Sequence, residues 1–496
     1  MRRTCIMVAL IGSLSLTGCG LMRTHYTCPE VESPSSYPHA DATATASLDH
    51  WWQRFGDPQL DALVAEALKL NSDLALAALN IRAAQFQAHL AVINPTVTTG
   101  YTYDYSAPLK RTIPPTPATK FHSLTASASY EVDLWDQLAA LKDAARWEAR
   151  ATEEDRQSAA LALIGTTVNL YYQLADLNYR IILSEQSIAY ATRTLELVQV
   201  LKTAGGVTQL EIAESEQSIQ SQKANQAALI EQRVELRNAL TVVLNGTPWP
   251  ESEERDAVPD DPPPPVAAGL PVSLLDRRPD LRAAELRLRE TLAQTDATRL
   301  SFYPNLNLTG SLGTASTGLS ELVSNPLGSL AATLSLPFIQ MKQAHFATAL
   351  SKTQYDKAVV NFRKTLLQAL IDVDNVLSAR TQLAEEGAEL EHSLKSAKTA
   401  EHLYEIRYRA GAVALRSWLD AQESRRQAEL ALAGNRLARL QNYATLCLGL
   451  GGGADTSDAG GVSTQSSRNP TLRIGPRECF TRCQISLERR LALRNR

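Results

Sequence analysis

Past Leu16 the chain lacks any run approaching ~18 consecutive apolar residues, so no segment there can cross a bilayer as a lone helix. Whatever it does at a membrane, it does with strands, with lipid or from outside. Histidine is scarce, eight in 496 residues, and scattered. His-Glu-x-x-His, Gly-x-Ser-x-Gly and a glycine-rich phosphate loop are all missing, so no catalytic residue, metal site or cofactor is assigned. The net charge is only -4, which gives no basic field for a nucleic-acid partner. Cys5, Cys19, Cys28, Cys447, Cys479 and Cys483 are too scattered for a disulfide framework. Cys479-x-x-x-Cys483 has no histidine nearby and reads as an incidental pair or a disulfide rather than a metal site. Proline is absent from 118–247 and again from 338–469, two stretches that nothing in the sequence forbids from being helical.

The N-terminus carries an address. Met1-Arg2-Arg3 is basic and Ile6 to Leu16 is apolar, too short for a permanent span and laid out as a secretion signal. It ends in Leu16-Thr17-Gly18-Cys19, which resembles the lipobox of bacterial lipoproteins, where the cysteine sulfur accepts diacylglycerol. An ordinary signal peptide with a chance cysteine is the alternative; the spacing, Leu16 and Gly18 favour lipidation. The expectation is a signal peptide at 1–18, lipidated Cys19 and an extended segment at 19–56. Gly20, in place of the Asp usual for inner-membrane retention, favours the outer membrane.

The rest of the chain aligns with itself. Asn71-Ser72-Asp73-Leu74 opens a helical stretch that stops at Asn94-Pro95, and Arg278-Pro279-Asp280-Leu281 opens a similar one that stops at Tyr303-Pro304. Alternation of period two follows in both copies, Val97–Tyr103 and Leu124–Tyr130 in the first, Leu306–Leu312 and Leu330–Leu336 in the second. Small or hydroxyl residues on one face of each run predict strands. Each strand pair leads into a proline-free stretch rich in Ala, Leu, Glu, Gln and Arg, all strong helix formers. Gly205 and Gly206 break the first stretch and Gly411 the second, which suits tight reversals between two helices. Each arm is expected to hold about 65–70 residues, roughly 100 Å at the helical rise. Helices of that length must pack on one another, as a coiled coil or as the wall of a tube.

The fold class is therefore mainly α with a small β part, built from two tandem structural repeats. These are 57–248 and 273–450, each a helix, a strand pair and a long helical hairpin. A Pro-rich linker at 249–272, with Asp260-Asp261-Pro262-Pro263-Pro264-Pro265, is expected to run extended over the surface. The Ser/Thr/Gly tail at 451–496, basic around Arg489 and Arg490, reads as disordered with a helix near its end. Four strands cannot close a transmembrane barrel, which needs about eight or more, and an open edge in lipid strands backbone groups at several kcal/mol each. Three chains would supply twelve strands and line up twelve long helices as a second, periplasmic barrel. Tyr101, Tyr103, Tyr105 and Tyr130 suit an aromatic girdle, with surface tyrosines on a soluble sheet as the alternative.

Short signatures recur in order from Trp51 to Gly453: Trp51-Trp52-Gln53-Arg54-Phe55-Gly56-Asp57-Pro58-Gln59-Leu60, Arg278-Pro279-Asp280-Leu281 and Phe302-Tyr303-Pro304. Leu334-Ser335-Leu336-Pro337, Arg407-Tyr408-Arg409-Ala410-Gly411 and Leu419-Asp420-Ala421-Gln422 follow. With these the chain resembles the outer-membrane factors of tripartite efflux systems, in the outer-membrane efflux lipoprotein (nodulation-protein-T-type) branch. The resemblance implies a homotrimer whose outer-membrane β-barrel, four strands per chain, continues into a long periplasmic α-helical barrel. It implies a periplasmic adaptor protein and an inner-membrane efflux pump as partners, outer membrane lipid around the barrel, and passive export of drugs or other solutes. It also implies a gate at the periplasmic tip after the second reversal, where family members often carry Leu and then Asp four residues on. Those positions are Arg416 and Asp420; Asp420 matches, Arg416 departs, and the equivalent place in the first copy holds Leu210. The i, i+4 spacing puts the pair on one helical face, so the alternatives are a charged ring, an apolar constriction, or an exposed pair of little weight. A lipid-anchored periplasmic coiled-coil spacer without a pore is the rival to the channel.

Overall fold

The computed structural model describes residues 22–29, 37, 48–91, 93–110, 114, 117–264, 266, 274–319 and 326–452. The signal segment, Cys19, the Cys479–Cys483 pair and the tail after residue 452 lie outside the described residues. A 3-10 turn at Trp51–Phe55 leads into α1 (Pro58–Leu70) and α2 (Ser72–Leu90), then β1 (Thr96–Ser106) and β2 (Thr119–Val132). The hairpin of α3 (Gln137–Thr203) and α4 (Gln209–Val243) follows. The second half runs α5 (Leu274–Arg277), α6 (Pro279–Leu300), β3 (Asn305–Ser316), β4 (Pro326–Ser335), α7 (Met341–Arg409) and α8 (Leu415–Gly449). The protein is mainly helical with one small antiparallel sheet, and among the described residues no helix is long and apolar enough to cross a membrane.

The first arm of each hairpin has the expected length, 67 residues in α3 and 69 in α7. The second arms do not: α4 and α8 hold 35 residues each. The cause is local. At the end of α4 the chain turns through Asn245 (φ 54°) and Gly246 (φ 89°), and the Gly246 amide donates to the Thr241 carbonyl at 2.8 Å. The start of α2 meets that end: Asn71 Nδ2 donates to the Val243 carbonyl at 3.1 Å, while its Oδ1 caps α2 by accepting from the amides of Asp73 and Leu74. Likewise, α8 stops before Gly451 (φ 75°), and Arg278, just ahead of α6, donates to the Gly449 carbonyl at 3.3 Å. Each short helix thus takes over where a 35-residue arm ends.

The described chain forms two compact units. One comprises Met1–Pro29, Leu79–Glu153 and Ala283–Arg363 and holds the sheet, in the order β1-β2-β3-β4 with β1 and β4 at its edges. The register sorts most side chains by chemistry, with Lys120 and His122 on the more apolar face and Phe121 and Leu327 on the other as exceptions. Val97, Leu124, Leu308, Leu312, Leu330 and Leu334 share one face, together with Tyr101, Tyr103, Tyr105 and Tyr130. The other face carries Thr98, Ser127, Ser129, Thr309, Ser311 and Ser329. Across the strands these hydroxyls pair: Thr98 with Ser127 at 2.7 Å, Ser129 with Thr309 at 3.1 Å, and Ser311 with Ser329 at 2.7 Å.

The other unit comprises Glu30–Ala78, Glu154–Arg282 and Lys364–Arg496. Trp51, Leu60, Leu63 and Val64 are buried in it; the Trp51 ring meets Tyr443, and Phe55 meets both Tyr172 and Tyr443 edge-on. Asp57, almost wholly buried, is its polar centre. One carboxylate oxygen caps α1 by accepting from the amides of Gln59 (3.1 Å) and Leu60 (3.3 Å), with Pro58 as the first helical residue. The other accepts from the Tyr171 hydroxyl at 2.9 Å and from Arg255 at 2.7 Å. Arg255 belongs to the linker, which does more than run over the surface. Trp249, Val258 and Val266 are buried, and Arg380 donates to the Val266 carbonyl at 3.2 Å. Apolar residues interspersed among the prolines let an extended chain pack rather than drift.

Asp57→Ala removes a cap and strands Tyr171 and Arg255. A loss of about 2–3 kcal/mol is expected, discounted for the partial exposure of Arg255, and Asp57→Asn, which keeps the cap, should cost about half of that. Thermal unfolding of the detergent-solubilised protein measures both; an Asp57→Asn chain as stable as the unsubstituted one would show that the carboxylate's charge carries no weight.

Candidate functional site at the helical reversals

Both helical hairpins turn at a glycine of positive φ, Gly205 at 75° and Gly411 at 72°, where a side chain would be strained. Around each, the same pair of bonds closes the helix. The Gly206 amide donates to the Leu201 carbonyl at 2.8 Å and the Ala412 amide to the Arg407 carbonyl at 2.9 Å. The Gly205 and Gly411 amides donate to Lys202 and Tyr408, each at 2.9 Å.

The reversals differ in how the next helix starts. Thr208 begins α4 with a capping box: its hydroxyl accepts from the Leu210 amide at 3.2 Å, while Glu211 accepts from the Thr208 amide at 3.0 Å and from the Thr208 hydroxyl. The bonds from Thr208 hold the Glu211 carboxyl below its ordinary value of 4.5. At α8 the cap position is Ala414, which has no side chain to accept.

Sequence reading missed what joins the two reversals. Val198, Tyr408, Leu415 and Trp418 are buried together, with Val207, Ile212 and Val413 packed against them. The Tyr408 and Trp418 rings stack at 5.3 Å, and Tyr190 meets Trp418 edge-on at 6.3 Å. No linear spacing links these residues; the only signal was the density of large side chains beside both glycines. Next to this cluster Arg425 of α8 bridges Glu401 of α7 (2.5 Å) and Glu429 (2.8 Å), with Lys398 at 3.4 Å from Glu429.

Arg416 and Asp420 lie on the first turns of α8, joined at 3.0 Å between Nε and Oδ1, with side chains 65% and 62% exposed. Leu210, at the matching place on α4, is also exposed. The pair contributes little to the helix. Arg precedes Asp, the weaker order at i, i+4, and a cation sits at the helix N-terminus, where the dipole disfavours it.

First arms about 100 Å long and a sheet with one largely apolar and one largely hydroxyl face fit a channel protein of the outer membrane. The profile of the outer membrane efflux protein family matches residues 63–246 and 270–452, and the chain belongs to that family. Over 456 residues it is 29% identical to the pyoverdine export outer membrane protein OpmQ of Pseudomonas putida, covering 89% of this chain and 96% of that one. It is 28% identical to the antibiotic efflux pump outer membrane protein ArpC of Pseudomonas putida, covering 88% and 93%. It also superposes on the open-state outer membrane channel MtrE of Neisseria gonorrhoeae with a TM-score of 0.71 and 26% identity, covering 88% and 99%. It is an outer-membrane efflux channel component and not an enzyme, and the pore-less spacer is not favoured.

The cap difference gives a pH test. A carboxyl with a depressed folded-state value adds stability above its ordinary value and loses it as pH falls through the folded one. Amide protection around Leu210 and Glu211 is therefore expected to hold above pH 4.5 and to fall below it, while protection around Arg416 and Ser417 stays level. Hydrogen exchange referenced to intrinsic rates measures it, and Thr208→Ala should abolish the difference. Parallel behaviour at both reversals would count against the cap assignment.

Proposed function

We propose that three copies of the chain, each two tandem repeats, close a twelve-strand barrel in the outer membrane, continuous with a periplasmic barrel of helices. It passively releases solutes delivered by a periplasmic adaptor and an inner-membrane pump. The observation that carries this is the open sheet. β1 and β4 have 11 and 10 residues, the length a tilted transmembrane strand needs, and each has an edge to pair with a neighbour. The apolar face then meets lipid and the hydroxyl face lines the pore. Tyr103 pairs with His122, eight residues along β2 from Tyr130, so the tyrosines sit about 27 Å apart along the strand, at the two margins of such a band.

The helices support the same assembly. Leu76, Leu79, Phe86 and Leu90 stand exposed along α2 at heptad spacing, and Phe346, Val360 and Leu367 along α7, stripes that a neighbouring copy would cover. Relatives named for pyoverdine export and for antibiotic efflux support a channel that passes varied organic solutes, with choice left to the pump. At the second reversal, three Arg416–Asp420 pairs form the charged gate. Cys19 carries the lipid, and the acyl chains assist delivery while the barrel provides the main attachment.

Two substitution sets test this. Leu312→Arg, on the lipid face, is expected to cost about 2–4 kcal/mol per chain and block heat-labile trimers, whereas Ser311→Arg, its neighbour on the pore face, should assemble and lower conductance. The reverse ranking would refute the barrel's orientation. For the gate, Arg416→Leu and Asp420→Ala are each expected to raise the open fraction in planar bilayers; unchanged opening in both removes these residues from the gate.

A further inference from the structure

Between α6 and α7 lies an apolar cavity of about 780 Å³, within the size range of small-ligand sites. Phe302, Tyr303, Phe338, Met341, Ala344 and Thr348 line it, and Arg299 stands at its edge. Phe338 and Met341 are exposed, an unusual state for large apolar groups gathered in one concavity.

The chain's own N-terminal segment leads there. Thr24 is held by Asp296 of α6, its amide and its hydroxyl each donating at 2.7 Å. Arg23 bonds Asp143 of α3 at 2.8 Å. Tyr26 lies under the Arg289 guanidinium, 4.4 Å from its ring centre. Arg299, the residue that edges the cavity, also donates to the Met22 carbonyl. Gly20 and Leu21 lie between Met22 and Cys19, and those three Cα steps reach at most about 11 Å. That length suffices for an acyl group on Cys19 to reach the cavity's Arg299 end.

We propose that this cavity seats an acyl chain of lipidated Cys19, so that the anchor is held by the protein instead of floating free in the leaflet. The proposal rests on lipidation of Cys19. A segment fixed by four side chains ends beside an apolar hollow, and the residue within reach is the one expected to carry hydrocarbon. Arg299 and Lys352 supply a cationic margin suited to the polar ester end of the lipid.

The test is photo-crosslinking of the full-length protein in its own outer membrane, with benzoylphenylalanine placed at Met341 or, separately, at Thr348. Tryptic cleavage after Arg23 gives peptide 19–23, whose mass reports the lipid directly. The expected result is a crosslink from either position to the acyl chains of that peptide within one chain, reduced several-fold by Arg299→Ala with trimer yield unchanged. Crosslinks only to phospholipid, or only to a neighbouring copy's α2, overturn the seat while leaving lipidation intact. Cys28 is disulfide-bonded; a peptide 19–23 without lipid, or joined through a disulfide, overturns both the seat and the lipidation on which it rests.

Discussion

A sheet edge cannot stand in hydrocarbon. Each unpaired N–H or C=O costs several kcal/mol where no water can reach it, and β1 and β4 each present such a row. That constraint organises the rest of the proposed assembly. It demands a partner strand of equal length, which a second copy supplies by placing its β1 against the first copy's β4. It also gives meaning to the alternation of side chains. A sheet folded on a soluble core would bury its apolar face; here Val97, Leu312, Leu330 and Leu334 stand exposed, and the hydroxyls opposite pair with one another across the strands. Satisfying hydroxyls laterally leaves a polar face, on which Asp104, Glu131 and Asn307 also lie, and such a face suits the wall of a conduit.

The helical part answers a different constraint, length. A 67- or 69-residue helix has no globular core to lie against and must be flanked along its whole course. One uninterrupted second arm per hairpin would do this, but each strand pair is also entered through a shorter helix, α2 or α6. The junctions resolve the conflict. A 35-residue arm stops at a glycine turn, and the shorter helix that feeds the strand pair of the same repeat begins against that stop. Asn71 serves both sides at once, its amide nitrogen closing the end of α4 and its amide oxygen capping α2. Arg278 performs the corresponding service at α8 with a guanidinium, reaching Gly449 while pairing with Asp280 at 2.7 Å.

These junctions also explain what the sequence disclosed and what it withheld. The strands were legible because period-two alternation is a local pattern, and their extents differ from expectation by only a few residues at each end. Asp57-Pro58 was legible as a signature, and its physical content is a helix start buried under Tyr171 and Arg255. The second arms were oversized because absence of proline sets only an upper limit on a helix; Asn245-Gly246 ends α4 without one. The cluster of Val198, Tyr408, Leu415 and Trp418 was invisible for another reason. Its members come from three helix ends brought together only by folding, and no spacing along the chain encodes that meeting.

The reversals themselves carry the last step. Both rest on the same apolar cluster, so they share a foundation, yet only the first is locked by a capping box. The second starts on Ala414 and places a cation where the helix dipole opposes it, offset only by a solvent-exposed bond to Asp420. Local stability is therefore uneven by construction: a firm turn beside a weak one, on common ground. Elements that open are drawn from the least stable part of a fold. Under the proposed gate, the weak turn is the one that moves, and its charges lie on it because they bias the closed ring rather than hold the helix. The Arg425–Glu401 bridge between α7 and α8 then bounds the motion, since displacing it would leave the buried Glu401 carboxylate without this cation.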